Sequence, residues 1–131
     1  MMGHELGHRQ AGEDRLRFRE AFHYRELILA KADEIMVKKA CDYSASADIF
    51  ANLRAWETFG IMSAELGVWV RLADKVARLG SLLKDRYNPD AVLDTIVDLI
   101  NYATYIYLLM IEKDPAYARL LEGKRDAKEN V

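Results

Sequence analysis

Apolar side chains recur along most of the chain at the spacing of an amphipathic helix, and no strand-like alternation between turn residues interrupts them. The pattern starts near Glu13 and predicts a long first helix that ends near Cys41. One side of this helix is apolar and consists of Leu16, Phe22, Leu29, Ala32 and Met36. The sequence therefore predicts an all-α protein.

Glycine and serine residues divide the middle of the chain. Gly60 is typical of the C′ position and ends a predicted second helix over about 47–59. Ser63 is placed to cap a third helix, which is expected to run to about Tyr87.

The two prolines give the clearest helix starts. Asn88-Pro89 and Asp114-Pro115 each combine an N-cap residue with proline at the first helical position. They predict a fourth helix over about 89–112 and a short fifth helix after it. Because only a few residues join the third and fourth helices, we expect these two helices to lie antiparallel.

The whole pattern predicts an antiparallel bundle of four main helices plus a short C-terminal helix, in a single domain over residues 13–122. Residues 1–12 are expected to form a loose arm, and residues 123–131 a fraying polar tail. The fourth helix is apolar around most of its circumference, so it is either central or covered by another chain. We expect a subunit interface at this helix and hence a homo-oligomer.

Composition and charge indicate which partners and which cellular compartment to expect for this protein. A net charge of −2 argues against a general nucleic-acid coat, which needs a strong basic excess. Cys41 is the single cysteine, which is typical of a reducing compartment. The apolar run Leu99–Ile111 contains polar residues and is too short to span a bilayer, and no signal-peptide pattern is seen. These features predict a cytoplasmic protein without membrane binding.

Two stripes of polar and charged side chains are the candidates for chemistry. The stripe on the fourth helix consists of Asp94, Asp98, Asn101, Tyr102 and Tyr105. The stripe on the third helix consists of Arg71, Lys75 and Arg78, with Asp74 at its edge. If the two helices pack antiparallel, these cations face carboxylates that would otherwise repel each other.

Two interpretations of the stripes are open at this point. In the first, salt bridges between them only fix the register of the two helices. In the second, Asp94 and Asp98 are catalytic and hold Mg²⁺ together with Asp74, since Mg²⁺ prefers one or two carboxylates plus substrate phosphates. The side chains then expected to contact the substrate are Arg71, Lys75, Arg78, Asn101, Tyr102 and Tyr43, with Trp56 as a further candidate for stacking on a base.

Segments 38–54, 70–83 and 94–103 together resemble the nucleotide modification associated domain 1 family, found largely in phages and bacteria. The resemblance rests on the motifs Asp42-Tyr43, Arg71-x-x-Asp74-Lys75-x-x-Arg78-Leu79 and Asp94-x-x-x-Asp98-x-x-Asn101-Tyr102. That family is similar to the all-α nucleoside triphosphate pyrophosphatases of the MazG type, which are helical oligomers that use clustered carboxylates and Mg²⁺. The resemblance implies nucleotide binding and, in an enzyme, cleavage of a nucleoside triphosphate to a monophosphate and pyrophosphate.

The chain departs from the pyrophosphatase pattern in its acids. Thr95 occupies a position where those enzymes carry a glutamate, and the third helix offers only Asp74, followed by Lys75. Fewer acids leave less capacity for metal ions, so a pocket that binds nucleotide without cleaving it fits equally well. An enzyme would use metal-activated water, with the basic stripe stabilising the leaving pyrophosphate. The alternative is a non-catalytic oligomerisation or interaction protein.

The segment His4-Glu5-Leu6-Gly7-His8 matches the zincin motif H-E-x-x-H, in which two histidines bind Zn²⁺ and the glutamate is a general base. Gly7 disfavours a helix there, and no preceding segment supplies the sheet that shapes a zincin cleft. A zinc protease is therefore only a remote alternative.

Overall fold

A computed structural model describes residues 14–42, 50–85 and 88–129 of the chain. All regular structure in these ranges is helical, which confirms the predicted all-α class. Five helices pack together: α1 (Phe18–Asp42), α2 (Ala55–Thr58), α3 (Ala64–Lys84), α4 (Pro89–Lys113) and α5 (Ala116–Glu129). The predicted HELGH segment and Tyr43 lie outside the described residues.

The hairpin of α3 and α4 makes the most extensive helix contact in the described chain. Asn88 caps α4 because its side-chain oxygen accepts hydrogen bonds from the backbone N–H groups of Asp90, at 2.8 Å, and of Ala91, at 3.4 Å. Pro89 occupies the first turn, where a backbone N–H would have no partner within the helix. The predicted start of α4 is thus confirmed at atomic detail.

The buried core lies between α3, α4 and the segment that precedes α2. Val68 of α3 and Val97 of α4 are completely inaccessible to solvent. The ring of Phe50 meets that of Tyr105 edge to face, with 5.6 Å between the ring centroids. The main core cluster consists of Phe50, Leu53, Ala64, Val68, Tyr105 and Leu109.

Helix α1 lies on α4 and runs in the same direction. Ile28, in the first half of α1, lines a groove with Leu93 of α4, whereas Met36, further along α1, lines a cleft with Tyr102. Among the described helices α1 contacts only α4 and makes no contact with α3. A gap over α4 therefore separates α1 from α3.

One buried hydrogen bond ties α1 to α4. The side-chain amide of Asn101 donates to the backbone carbonyl of Ala32 over 3.1 Å, and both residues are buried. Since a buried amide without a partner would destabilise the fold, this bond specifies how α1 sits on α4.

The turn after α2 confirms the sequence signal at Gly60, which adopts a left-handed φ of 70°. Helix α2 itself is shorter than predicted and covers only Ala55–Thr58. The side chain of Trp56 then lies against the backbone of Gly67 in α3, where a Cβ atom would come within 2.9 Å of the indole ring. The absence of a side chain at Gly67 lets the indole reach the helix backbone.

Helix α5 folds back along the end of α4. The Asp114 carboxylate accepts a hydrogen bond from the Ala116 N–H at 2.9 Å, as predicted for a cap. The Tyr107 hydroxyl donates to the Tyr117 carbonyl at 2.7 Å. The backbone of α5 is helical to Glu129, which lies within the segment 123–131 that the sequence assigned to a polar tail.

Helix α4 is the central element, because α1, α3 and α5 all contact it. Part of its apolar circumference is therefore covered within the chain, where the sequence predicted cover by another subunit. Among the described helices α4 alone is long and apolar enough to cross a membrane, with a mean hydropathy of 1.3 in its most apolar window. The core helix of a soluble protein meets the same criterion, so this indication of a membrane span is weak.

We predict that Asn101→Ala destabilises the protein by about 1–2 kcal/mol, because it removes a buried hydrogen bond and leaves a small void. Urea denaturation at one protein concentration measures the change. Thr104→Ala is the matched control, since the exposed Thr104 hydroxyl bonds only to the Ile100 carbonyl of its own helix. Equal losses in the two variants would contradict the role given to Asn101.

Candidate anion-binding cleft

The basic stripe of α3 meets the polar stripe of α4 at one ion pair. Lys75 Nζ lies 2.9 Å from Asp98 Oδ2, and the two side chains are 28% and 21% exposed. The antiparallel packing of α3 and α4 brings these two groups together. Because both side chains keep some contact with water, the pair contributes about 1 kcal/mol or less to stability.

The three predicted metal ligands do not form a detected cluster of acidic groups in the described chain. Asp94 and Asp74 are both exposed, and the described residues contain no group of three His, Cys, Asp or Glu side chains placed to hold a metal ion. A magnesium ion at Asp98 would have to displace Lys75 from the carboxylate. The described residues therefore show no cluster of three or more metal-ligating side chains, and magnesium binding through one or two carboxylates stays a prediction.

Two of the predicted substrate contacts each lie about one helical turn from a member of the ion pair but have different surroundings. Asn101 points into the contact with α1, where its amide is used by Ala32. Arg78 is exposed and lies about two helical turns along α3 from Arg71.

A cleft opens one helical turn from the ion pair, in the gap between α1 and α3. Its volume is about 80 Å³. Four structural segments contribute to its wall: the last turns of α1, the residues before α2, and the facing sides of α3 and α4. The lining residues are Met36, Lys39, Ala40, Asn52, Leu53, Arg71, Tyr102 and Tyr105.

The lining of the cleft suits an anion. Among the described lining residues the charged side chains are Lys39 and Arg71, and none is a carboxylate. Asn52 and Tyr102 add hydrogen-bonding groups beside an apolar wall that includes Leu53. A lining of this composition favours negative charge over positive charge.

The sequence stripes include Arg71 and Tyr102, and the structure places both in the cleft. Sequence reasoning missed Lys39 and Asn52. Lys39 is in the last turn of α1, where a lysine also satisfies the helix dipole, so its residue type gave no distinct signal. Asn52 falls in a stretch that the pattern assigned to a helix, whereas the structure has a turn there.

A second group of charges closes the opposite end of the α3–α4 hairpin. Arg54 binds both carboxylate oxygens of Glu112, at 2.7 and 3.0 Å. Lys113, in the last turn of α4, pairs with Glu65 in the first turn of α3. Burial raises the pKa of Glu65, but the hydrogen bond from Lys113 and smaller contributions outweigh it and hold the pKa below its ordinary value. These pairs connect helix ends and line no part of the cleft.

We predict that Lys75 and Asp98 couple weakly in a double-mutant cycle. Lys75→Met, Asp98→Asn and the double variant should give a coupling energy of about 0.5–1 kcal/mol, because the pair is partly solvated. Urea denaturation at low and high salt measures it, and the coupling should shrink as salt rises. A coupling of several kcal/mol at both salt concentrations would contradict this prediction, because only a pair shielded from water would couple so strongly.

We also predict that the Glu65–Lys113 pair is lost in acid. Since the pKa of Glu65 is lowered in the folded state, the pair stabilises the fold above the pKa of free glutamate, about 4.3, and this stability disappears as pH falls through the folded-state pKa. Glu65→Gln should therefore lose less stability on acidification than the unaltered chain, measured by urea denaturation across that range.

Lys113→Met serves as the control for the cause of the shift. It removes the hydrogen bond and leaves Glu65 partly buried, so carboxyl-carbon NMR should find the pKa of Glu65 higher than in the unaltered chain. An unchanged pKa of Glu65 would rule out Lys113 as the cause.

Comparison with known proteins finds no matching protein family, no matching curated protein and no matching solved structure. The resemblance seen in the sequence motifs therefore stays a prediction.

Proposed function

We propose that the cleft between α1 and α3 binds a phosphate-bearing ligand of the nucleotide class. The observation that carries this proposal is the positive charge that Lys39 and Arg71 bring to the cleft wall, where the described residues contribute no acidic side chain. Arginine presents a planar fork that matches two phosphate oxygens, and lysine adds a compact positive charge beside it.

The size of the cleft determines which part of the ligand it holds. Complete small-molecule sites usually enclose about 300–1,000 Å³, whereas this cleft encloses about 80 Å³. It therefore suits one phosphoryl group, with the base and sugar outside it along the gap. The Tyr102 ring, which is half-buried in the cleft wall, offers the apolar contact for the adjoining part of the ligand.

The same geometry favours binding over cleavage. The carboxylate of Asp98 is neutralised by Lys75, and the described residues of the cleft wall include no Asp, Glu or His to act as a general base. Under this proposal Mg²⁺ arrives with the polyphosphate, as it does for nucleoside triphosphates in the cytoplasm, where we place the protein. Pyrophosphohydrolysis in phage or bacterial nucleotide metabolism is the catalytic form of the same hypothesis and requires Asp98 to exchange Lys75 for metal.

A second candidate function is that of an interaction protein. Large apolar side chains are exposed along the described helices, among them Phe18 at 83% and Phe59 at 77%. Two almost purely apolar grooves flank the contact of α1 with α4, and both include Ile28 and Ile96. Monomeric soluble proteins rarely leave such continuous apolar surface uncovered.

We predict that Arg71→Gln and Lys39→Gln each weaken nucleotide binding about 10-fold or more, because each removes a charge-assisted hydrogen bond worth about 1.5–3 kcal/mol. A thermal-shift screen of nucleoside mono-, di- and triphosphates and of inorganic phosphate, with and without Mg²⁺, identifies the ligand. Isothermal titration calorimetry then measures the affinity of each variant.

Arg78→Gln is the matched control, because Arg78 belongs to the same basic stripe but does not line the cleft. It should keep the affinity of the unaltered chain. The proposal fails if no phosphate compound raises the melting temperature, or if Arg78→Gln loses as much affinity as Arg71→Gln. A pyrophosphate-release assay on the bound nucleotides separates catalysis from binding.

A further inference from the structure

Helix α3 carries an apolar stripe that does not face α4. The stripe repeats at alternating steps of three and four residues, which is the spacing of a coiled-coil seam. Its members are Leu66, Trp69, Ala73, Val76, Gly80 and Leu83, and all six are exposed. Within the described chain α3 contacts only α2 and α4. Leu83, at the end of the seam, also lines the apolar groove with Ile28 of α1, but it remains 58% exposed.

The exposure of the seam is large for its residue types. Trp69 is 56% exposed, Val76 52% and Leu83 58%. Val70 and Ala77, which adjoin the seam, are exposed as well, so no charged side chain interrupts this side of α3 between Leu66 and Leu83. An unpaired seam of this length is the surface that a second helix covers in a coiled coil.

Side-chain sizes along the seam indicate which helix covers it. In an antiparallel pair related by a two-fold axis, each position of one heptad type faces a position of the other type on the second helix. Placing the axis midway between Ala73 and Val76 makes every seam residue face a residue of the same seam on the other helix, in three kinds of layer that each occur twice. The layers are then Leu66 with Leu83, Trp69 with Gly80, and Ala73 with Val76.

This register matches large side chains with small ones. Trp69, the largest residue of the seam, meets Gly80, the smallest, and Val76 meets Ala73. A parallel pair would instead place Trp69 against Trp69 and Gly80 against Gly80. Overfilled layers would then alternate with voids, and both are unfavourable in a close-packed interface.

We propose that two copies of this chain associate through their α3 helices as an antiparallel two-fold pair centred between Ala73 and Val76. The seam is complementary to its own reverse, and that complementarity is the reason to assign the surface to a second copy of the chain. The proposal does not depend on the anion-binding cleft, because Arg71 lies on a different side of α3 from the seam.

Analytical ultracentrifugation of the full chain tests the association. The unaltered chain is expected at the mass of a dimer, and Val76→Glu, which places a charge in the central layer, at the mass of a monomer with unchanged helical circular dichroism. Ser81→Glu is the matched control, because it adds the same charge to exposed surface of α3 outside the seam, and it should stay dimeric.

Disulfide cross-linking tests the register and direction. In a Cys41→Ser background, which removes the exposed native thiol, Leu66→Cys with Leu83→Cys should form a covalent dimer on mild oxidation. The two positions lie about 26 Å apart along one helix, so they cannot pair within a chain. Each single cysteine variant should stay uncross-linked, because equivalent positions are far apart in the antiparallel pair.

Three results would overturn the proposal. If the unaltered chain is monomeric at all accessible concentrations, a second copy does not cover the seam. A heterologous partner found on the seam would then be its occupant instead. A Val76→Glu variant that remains dimeric places the interface elsewhere. A covalent dimer formed by Leu66→Cys alone shows a parallel pair.

Discussion

The packing of α1 on α4 determines the position and the lining of the candidate binding cleft. Because α1 packs on α4 and not on α3, a gap remains over the central helix. Near the end of α1 the gap is lined by cations and hydrogen-bonding groups, including Lys39 and Arg71. Near its beginning the gap is an apolar groove with Ile28 and Leu83 on opposite sides. Between these two ends, the buried bond from Asn101 to Ala32 fixes α1 on α4.

The positions of the charged side chains also follow from the packing of the helices. Antiparallel packing of α3 and α4 places the cations of one helix beside the carboxylates of the other, so Asp98 is neutralised by Lys75. One turn away along α3, Arg71 lines the cleft together with Tyr102 of α4, and the described residues of the cleft wall include no carboxylate. A cation beside an aromatic residue in a partly enclosed space suits the binding of an anion. The ion pair of Lys75 with Asp98 and the candidate binding site at Arg71 are thus one helical turn apart on α3.

The helices could be predicted because local residue types specify their ends. The site could be predicted only in part, because it depends on how the helices pack in three dimensions. Asn88, Pro89 and Gly60 fix backbone conformation within a few residues, and their signals therefore predicted helix boundaries that the structure contains. Helix periodicity placed Lys75 and Asp98 on stripes that meet. Lys39 and Asn52 escaped prediction because their contribution depends on where α1 and the turn before α2 lie over α4, and no pattern along the chain encodes that placement.

Three sides of helix α3 have different surroundings. One side packs on α4 through Val68, a second presents Arg71 to the cleft, and a third carries the seam that includes Trp69 and Val76. At about 100° per residue, Arg71 and the centre of the seam lie roughly half a turn apart around the helix axis. A second copy docked on the seam therefore leaves both clefts open, on outer sides of the pair. Ligand binding and self-association are then separable, so a seam variant that becomes monomeric should still bind phosphate.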